Sequence, residues 1–481
     1  MHWDIVILAR IQFALTIMFH YIFPPITIGL GLLLVIFEAL WLTTRRQVYY
    51  EILIFWIKIF AVNFAIGVAT GIVMEFEFGT NWSTYSRFVG DVFGSALAAE
   101  GIFAFFLESG FLSILLFGAN KVSPGIHFLS TIMVFLGSVF SSVWIVIANS
   151  FQQTPAGYHL VRQSNGFLRA EITDFWAMVF NPSSMYRLNH VLLGAFIIGA
   201  SLVISVSSYY LLKKIHENFA KTSFSVSLIV LAIASYTMLL SGHEQARAVA
   251  YNQPEKLASF EGNYHTCNTH GTRLSLFGIP NSKTLKLDYE ISIPDMLSYL
   301  VYNNFNKPVK AIDAFPQIDW PPLMVPFISY HIMVALGMFY ILISSLGLIL
   351  LKTNQLFNHR YILWVYAILA VIGTIANQAG WVCAEVGRQP WIVYRLLRTS
   401  DAYSKTVDAN QIIFSLIMFS LLYLLLFFVY IYILNEKIQL GPVTELKYKH
   451  SSILDAASDL NKHGEYSMTS TPELDEDDNN A

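Results

Sequence analysis

About nine apolar runs, each long enough to cross a lipid bilayer, constrain this chain more than any other feature of its sequence. A membrane-spanning helix takes ~20 apolar residues. The 481 residues are 55% hydrophobic and only 13% charged, which is too apolar for a water-exposed surface. We therefore predict an all-α, polytopic membrane protein, a helical bundle in the lipid bilayer, and no nucleic-acid partner because no basic block occurs. The predicted spans are 11–42, 52–74, 96–117, 126–149, 188–212, 224–240, 325–351, 361–383 and 411–434.

The Lys and Arg residues of the loops predict the orientation of the bundle. Eight fall on each side, but one set is concentrated in loops of about ten residues, and dense positive charge favours the cytoplasmic side. The N-terminus is then outside, retained rather than cleaved as a signal peptide, and the C-terminus is cytoplasmic. The chain divides into helices 1–6 (1–242), an extracytoplasmic loop (243–324), helices 7–9 (325–435) and a largely disordered acidic tail (436–481).

Two carboxylates, Glu100 and Glu108, lie inside the third apolar run, in the stretch AAEGIFAFFLESG. A charged side chain at mid-membrane costs roughly 2.5–3.5 kcal/mol on insertion scales. On a regular α-helix the two lie ~12 Å apart along the axis and ~80° apart around it. They are either neutral acids hydrogen-bonded between helices, or part of a proton route or of the carboxylate shell of a cofactor.

Three histidines lie in or at the edge of apolar runs: His20, His190 and His331. His20 precedes Pro24 and Pro25, which are expected to kink the helix just beyond it. Haem iron is held by His, or by a His/Met pair where the site transfers electrons, and Met333 is available as such a partner. The alternative is that each His only makes hydrogen bonds and that Met333 is core filler.

For two further groups of polar residues, the sequence alone favours an ordinary structural role. The segment GWVCAEVGRQPW places Glu385 between Trp381 and Arg388, which is typical of an interfacial cap with a Glu–Arg pair. The segment QPEKLASFEG places Lys256 and Glu261 five residues apart in the outer loop, which favours a solvated surface pair. The two cysteines, Cys267 and Cys383, are too few and too separated for a disulfide framework or a zinc cluster.

Six segments of the chain together resemble a known family, subunit I of the bacterial bd-type quinol oxidases. They are RIQFALTIMFHYIFPPITIGL, NFAIGVATGIVMEFEFGTNW, AAEGIFAFFLESGF, WIVIANSFQQTPAG, EKLASFEG followed by LFGIPN, and GWVCAEVGRQPW. The resemblance covers nearly everything except the tail. The short outer loop is similar to that of members without the long insertion, which include the cyanide-insensitive branch.

The resemblance implies three haems and a role for each matching residue. His190 and Met333 would bind the iron of a low-spin haem b, His20 the iron of haem d (or of another haem b in its place), and Glu385 the iron of a high-spin haem b. Trp381, Arg388 and His331 would line the cofactor sites; at position 331 the family often has Arg. Glu100 would lie near the high-spin haems, Glu108 would be a proton station with Ser141 and Asn149 on the same route, and Lys256 and Glu261 would bind and deprotonate quinol.

The function implied is that of a terminal oxidase of the bacterial inner membrane. It would take electrons from ubiquinol or menaquinol at the outer loop, reduce O2 to water, and separate charge without pumping. Its partner would be subunit II, with a small third subunit in some members. Two alternatives from other classes remain at this point: a secondary ion or proton transporter, and a non-catalytic haem-binding membrane subunit.

Overall fold

The computed structural model describes residues 4–164, 166–266 and 270–442, and Cys267 and most of the acidic tail lie outside this part. Within it, nine helical segments are long and apolar enough to cross a membrane, which confirms the predicted count. These segments are Ile5–Thr44, Gln47–Thr80, Gly90–Phe117, Pro124–Gln153, Ser184–Lys213, Glu217–Asn252, Met324–Lys352, Arg360–Val386 and Ala409–Leu440.

Two prolines break the first segment as predicted. Helix α1 (Ile5–His20) ends at His20, and α2 (Phe23–Thr44) begins with Pro24 and Pro25 in its first turn. Proline is tolerated there because the first N–H groups of a helix have no partner within that helix. The break leaves His20 in the last turn of α1. Helix α3 (Gln47–Thr80) follows and packs against α1 and α2.

The third segment is not the regular helix assumed from its sequence. It consists of α5 (Gly90–Ala99), a π-helical turn (Glu100–Phe105) and α6 (Phe106–Phe117), preceded by the short α4 (Ser83–Phe88). A π-helical turn has more residues per turn than an α-helix, and such turns are frequent at functional sites. The ~80° angle expected between Glu100 and Glu108 therefore does not apply, because the π-turn between them changes their relative direction.

The centre of the bundle is α9 (Ser184–Lys213), which packs against α2, α7 (Pro124–Gln153), α10 (Glu217–Asn252) and α15 (Leu369–Val386). Its most apolar stretch is the most buried of the nine, at 78%, whereas that of α17 (Ala409–Leu440) is only 11% buried. Helices that are apolar all round lie either in a core or against lipid. Thus α9 is the core helix and α17 presents most of its surface outward.

The predicted outer loop is largely folded. Helix α10 continues to Asn252, beyond the predicted end at 240, and is followed by α11 (Pro254–Phe260), an antiparallel hairpin and α12 (Met296–Tyr302). The hairpin strands are β3 (Leu274–Asn281) and β4 (Lys286–Ile293). The segment then joins α13 (Met324–Lys352). The remaining elements are β1 (Tyr158–Arg162), β2 (Leu168–Ile172), α8 (Phe175–Val179), α14 (Arg360–Ala367), β5 (Trp391–Val393), β6 (Leu397–Arg398) and α16 (Thr399–Ala402).

Candidate redox site

A cavity of about 690 Å³ between the helices brings six of the predicted site residues together. This volume lies within the range of roughly 300–1,000 Å³ that is typical of ligand pockets. The other five predicted site residues also lie in the described part of the chain, but they do not line this cavity. The six lining residues are His20, Glu100, Glu108, Trp381, Glu385 and Arg388.

The imidazole of His20 is oriented by Thr70 of α3. The ring nitrogen Nδ1 lies 3.0 Å from the Thr70 hydroxyl oxygen, and that hydroxyl lies 2.9 Å from the Ile66 carbonyl, to which it donates. Since the single hydroxyl proton is used in this way, the Thr70 oxygen accepts a hydrogen bond from Nδ1–H, and Nε2 keeps its lone pair. A hydrogen bond on the far nitrogen is the usual second-shell support of a metal-binding His.

Both acids of the third segment are held by serines of α7. Ser141 donates to Glu100 at 2.8 Å, and Ser138 donates to Glu108, which is 5% exposed. The close approach of α6 and α7 depends on Gly137, because a Cβ there would lie 2.8 Å from that of Glu108. The interpretation of Glu100 and Glu108 as acids that are hydrogen-bonded between helices therefore agrees with their contacts. Their place on one cavity wall also suits a series of proton stations.

Glu385 lies in a cluster of cationic and amide side chains at the C-terminal end of α15. Its carboxylate is 2.7 Å from Arg388 and 3.6 Å from Arg187, and it accepts from Asn149 at 3.2 Å and from Gln153 at 3.1 Å. The Glu–Arg pair expected of an interfacial cap is present, as part of this larger cluster. Arg388 is only 7% exposed, and its guanidinium also donates to Gln152 at 2.7 Å.

Arg187 is a site residue that the sequence reasoning missed. It is 6% exposed, donates to Asn149, and lies over the ring of Trp381 at 5.6 Å. The signal was present, because Arg187 stands one helical turn before His190 at the start of an apolar run. Ser138, Gln152 and Gln153 were missed as well, since nothing in their local sequence distinguishes them. Glu75, which lines the cavity, was also missed, although it is an acid in an apolar helix as Glu100 is.

The reading of Lys256 as a solvated residue is wrong. Lys256 is 4% exposed and donates to Gln153 at 2.9 Å and to Gln253 at 3.3 Å. Burial, together with the positive charge of Arg187, lowers the pKa of the ammonium to about 7 against the opposing effect of Glu385. Three buried or nearly buried cations, Lys256, Arg187 and Arg388, thus surround one carboxylate. Such an excess of buried positive charge is costly unless an anionic group compensates for it.

Glu261 is also buried rather than solvated, at 2% exposed. Burial raises the pKa of its carboxyl to about 7, against the smaller lowering effect of a hydrogen bond from Tyr330. Its Oε2 atom has no hydrogen-bond partner among the described residues. A carboxyl poised near neutral pH with one free oxygen has the properties of a general base.

His190 and Met333 stand on α9 and α13, two helices that both pack against α10 and α15. The buried Nδ1 atom of His190 has no hydrogen-bond partner among the described residues, and leaving a buried polar atom unpaired costs roughly 1–3 kcal/mol. The sulfur of Met333 lies close to the backbone of Gly380, and a Cβ added to this glycine would be 2.9 Å from the sulfur. A ring nitrogen in need of a partner and a thioether over a glycine both fit a bound haem.

His331 is tied to two backbone carbonyls. Its Nδ1 lies 2.8 Å from the Phe327 oxygen and its Nε2 2.9 Å from the Ser275 oxygen. The first of these contacts lies within α13, and the second fastens α13 to strand β3, a role that the sequence did not indicate.

Comparison with known proteins gives one consistent result. Residues 8–442 match the family described as cytochrome bd terminal oxidase subunit I. The chain is 39% identical to the cytochrome bd ubiquinol oxidase subunit 1 of Bacillus subtilis, over 90% of this chain and 94% of that protein. It is 32% identical to the cytochrome bd-II ubiquinol oxidase subunit 1 of Escherichia coli, over 92% and 97%.

A solved structure agrees with the sequence relatives. The bd oxidase from Geobacillus thermodenitrificans has a chain that superposes with a TM-score of 0.84 at 28% identity. The similarity covers 92% of this chain and 99% of that one. A further relative, 32% identical over 92% of this chain and 98% of its own length, is named a putative cytochrome bd menaquinol oxidase subunit I of Bacillus subtilis.

Proposed function

Because the chain belongs to the family of cytochrome bd terminal oxidase subunit I, it is a membrane subunit of a quinol:oxygen oxidoreductase, and we propose that its buried cationic cluster separates a quinol site from a haem cavity. The family also implies haem cofactors and a subunit II partner. The observation that carries the proposal is the cluster of Arg187, Arg388 and Lys256 around Glu385. Glu385 and Arg388 line the cavity, whereas Lys256 belongs to the outer loop.

The haem side of the proposal rests on three donor sets. His190 and Met333 would hold a low-spin haem b, His20 would hold haem d or a haem b in its place, and Glu385 would hold a high-spin haem b. The unpaired Nδ1 of His190 and the Thr70-oriented ring of His20 support these roles. Haem iron at these positions would supply one-electron transfer and oxygen chemistry.

The cluster cations would meet the negative charge of the haem carboxylates. Arg187 and Arg388 are nearly buried and share one protein carboxylate, so an additional anion would lower the cost of burying them. Trp381, which carries Arg187 over its ring, would fix that guanidinium in place. His331 would act by holding strand β3 against the helix that carries Met333.

The quinol side consists of Glu261 and Lys256. With its pKa raised to about 7, Glu261 would accept a proton from quinol, and Lys256, still partly charged at neutral pH, would stabilise the developing oxyanion. The relatives' names include both ubiquinol and menaquinol, and either quinol fits these two groups. The alternatives of a transporter and of a non-catalytic scaffold do not fit a member of an oxidase family.

Protons for water formation would reach the cavity through Glu108 and Glu100, with Ser138 and Ser141 as hydrogen-bonding partners. This arrangement requires the outer-loop domain (243–324) to lie outside and the tail (436–481) to be cytoplasmic. The Lys and Arg density of the loops supports that orientation, and the helix groups 1–242 and 325–435 would form the membrane domain. Charge would be separated because quinol protons leave outside and water protons enter from inside. A small third subunit would complete the assembly in the same way as in some family members.

One experiment tests the proposal as a whole. Membranes containing this chain with its partner subunit are reduced with a quinol, and the reduced-minus-oxidised visible spectrum and oxygen consumption are recorded. We expect haem b bands, a far-red band if the third haem is d, and oxygen uptake that needs quinol. Haem bands without oxygen uptake would favour the alternative of a non-catalytic haem-binding membrane subunit. A colourless, well-folded protein would overturn the haem assignments altogether.

A further inference from the structure

The β3–β4 hairpin of the outer loop carries apolar side chains on more than its buried side. On the buried side, Leu287 packs with Leu323 and Phe327 at the start of α13. A hairpin with its other side in water would carry polar residues there. Instead, six large apolar residues of the two strands are exposed: Leu276, Phe277, Ile279, Tyr289, Ile291 and Ile293. So many exposed apolar side chains on one hairpin mark a surface that another phase or molecule covers.

The position of the hairpin along α13 indicates what covers it. The Ser275 carbonyl of β3 is bonded to His331, seven residues into the helix, or about 10 Å from its first residue. The 29 residues of α13 span about 43 Å, whereas the hydrocarbon core of a bilayer is about 30 Å thick. The contact at His331 therefore lies near the boundary between lipid headgroups and hydrocarbon. Ile328 and Ile332, exposed on the same helix, continue the apolar surface.

The polar groups of the hairpin also suit a headgroup layer. Lys283 and Lys286 stand at the exposed turn, where they can meet lipid phosphates. Tyr289 is 82% exposed, and tyrosine is enriched at the level of the headgroups because one end of its ring is apolar and the other polar. The outer edges of a two-stranded sheet leave backbone groups unpaired, which excludes the hydrocarbon interior but not the hydrated interface.

From these observations we propose that the β3–β4 hairpin is an interfacial membrane anchor. Its exposed apolar side lies in the headgroup boundary of the leaflet on its own side of the bundle, about 5–10 Å deep as for other interfacial elements. Its partner is thus a phospholipid surface. The anchor stands whether or not the proposed function is right. If that function is right, membrane-dissolved quinol would reach Glu261 beside an element that is already in the lipid.

Site-directed spin labelling tests the anchor without relying on activity. In the complete oxidase with Cys267 and Cys383 replaced, single labels are placed through Phe277→Cys and Ile291→Cys, and the complex is put in nanodiscs of phosphatidylethanolamine and phosphatidylglycerol. Collision with oxygen, which concentrates in lipid, is compared with collision with a water-soluble nickel chelate. Lys310→Cys on the outer loop is the water reference and Leu421→Cys on α17, which is 63% exposed, the lipid reference.

We expect both hairpin labels to collide with the nickel chelate several-fold less than the label at position 310, and with oxygen nearly as often as the label at 421. Nickel accessibility equal to that at 310 would mean a water-exposed hairpin and overturn the proposal. Shielding from both reagents would mean that protein, such as the partner subunit, covers the surface, and would overturn it equally. A haem spectrum unchanged from the unlabelled complex shows that each variant is folded.

Discussion

Lys256 and Glu385 are joined through a single side chain. The ammonium of Lys256 donates to the Gln153 side-chain oxygen at 2.9 Å, and the amide nitrogen of the same Gln153 donates to Glu385 at 3.1 Å. Lys256 belongs to the outer loop and Glu385 lines the cavity. Gln153, at the last position of α7, therefore connects the proposed quinol side with the proposed haem side.

Breaking this connection should slow the quinol reaction. Gln153→Ala leaves the Lys256 ammonium without one of its two amide partners, and a hydrogen bond to a charged group contributes roughly 1.5–3 kcal/mol. We expect oxygen consumption to fall about 10-fold or more at limiting quinol. Gln152→Ala is the matched comparison, since Gln152 contacts Tyr85, Asn149 and Arg388 but not Lys256. Identical dependence on quinol concentration in the two variants would show that Gln153 has no special role.

The pKa values of Lys256 and Glu261 predict a bell-shaped pH profile. A general base must be deprotonated, so kcat/KM should rise as pH passes the Glu261 pKa of about 7. A stabilising ammonium must stay protonated, so kcat/KM should fall as pH passes the Lys256 pKa of about 7. The rise and the fall report the coupled titration of Glu261 and Lys256 together, and kcat/KM should show a narrow maximum near neutral pH.

Two substitutions separate the limbs of this profile. Lys256→Arg keeps its charge at any accessible pH, so the alkaline fall should disappear while haem content stays unchanged. Glu261→Gln removes the base, so the rate should fall roughly 10²–10⁴-fold and the acid limb should vanish. Rates measured in matched buffers from acid to alkaline pH test both. An alkaline limb that persists unchanged in Lys256→Arg would assign it to another group.

The low-spin haem assignment can be tested at each of its two proposed ligands. His190→Ala or Met333→Leu should remove the low-spin signal from the reduced-minus-oxidised spectrum. Gly380→Ala should perturb the same signal without touching a ligand, because its Cβ would lie 2.9 Å from the Met333 sulfur. A low-spin band unchanged in both ligand variants would exclude His190 and Met333. Gly110→Ala, where nothing lies within 4 Å of the new Cβ, is the control.

The sequence was informative where structure is local. Nine long apolar runs predict nine crossings, and Pro24 and Pro25 predict the break after His20, because both effects act within one helix. The sequence was misleading for Lys256 and Glu261, whose polar surroundings in the chain hide how completely α11 is packed. Burial here comes from the preceding helix α10 and also from α7 and α13, which lie far from α11 in sequence and come next to it only on folding.

Two other features of the structure could not be predicted from the sequence. The π-turn at Glu100 has no signal in the helical periodicity, which assumes a constant residue count per turn. The role of Arg187 depends on Asn149, Trp381 and Glu385 converging from two other helices, and only the folded chain brings them together. Contacts between helices, rather than the helices themselves, were beyond the reach of a single sequence.

The packing of α6 on α7 gives a prediction for stability. Gly137→Ala would bring its Cβ to 2.8 Å from the Glu108 Cβ and 3.2 Å from the Glu108 backbone nitrogen, and backbone cannot move aside as a flexible side chain can. Overpacking of this kind costs typically about 1–3 kcal/mol. We expect a lower thermal unfolding midpoint in detergent. Gly110→Ala on the facing helix meets nothing within 4 Å and should leave the midpoint unchanged. Equal midpoints for the two variants would mean that the helices separate at no cost.

The orientation of His20 by Thr70 leads to a graded pair of substitutions. His20→Ala should remove the oxygen-binding haem and leave the low-spin haem in place. Thr70→Val has nearly the same shape but cannot accept the hydrogen bond from Nδ1–H, so the imidazole loses a contact that orients it. We expect Thr70→Val to retain the haem at reduced occupancy, with its absorption band shifted and its affinity lowered roughly 10–100-fold. Haem titration of the apo-complex, followed in the visible spectrum, measures both effects. If Thr70→Val binds haem as the unsubstituted protein does, Nε2 is not the iron ligand or the tautomer is fixed by another group.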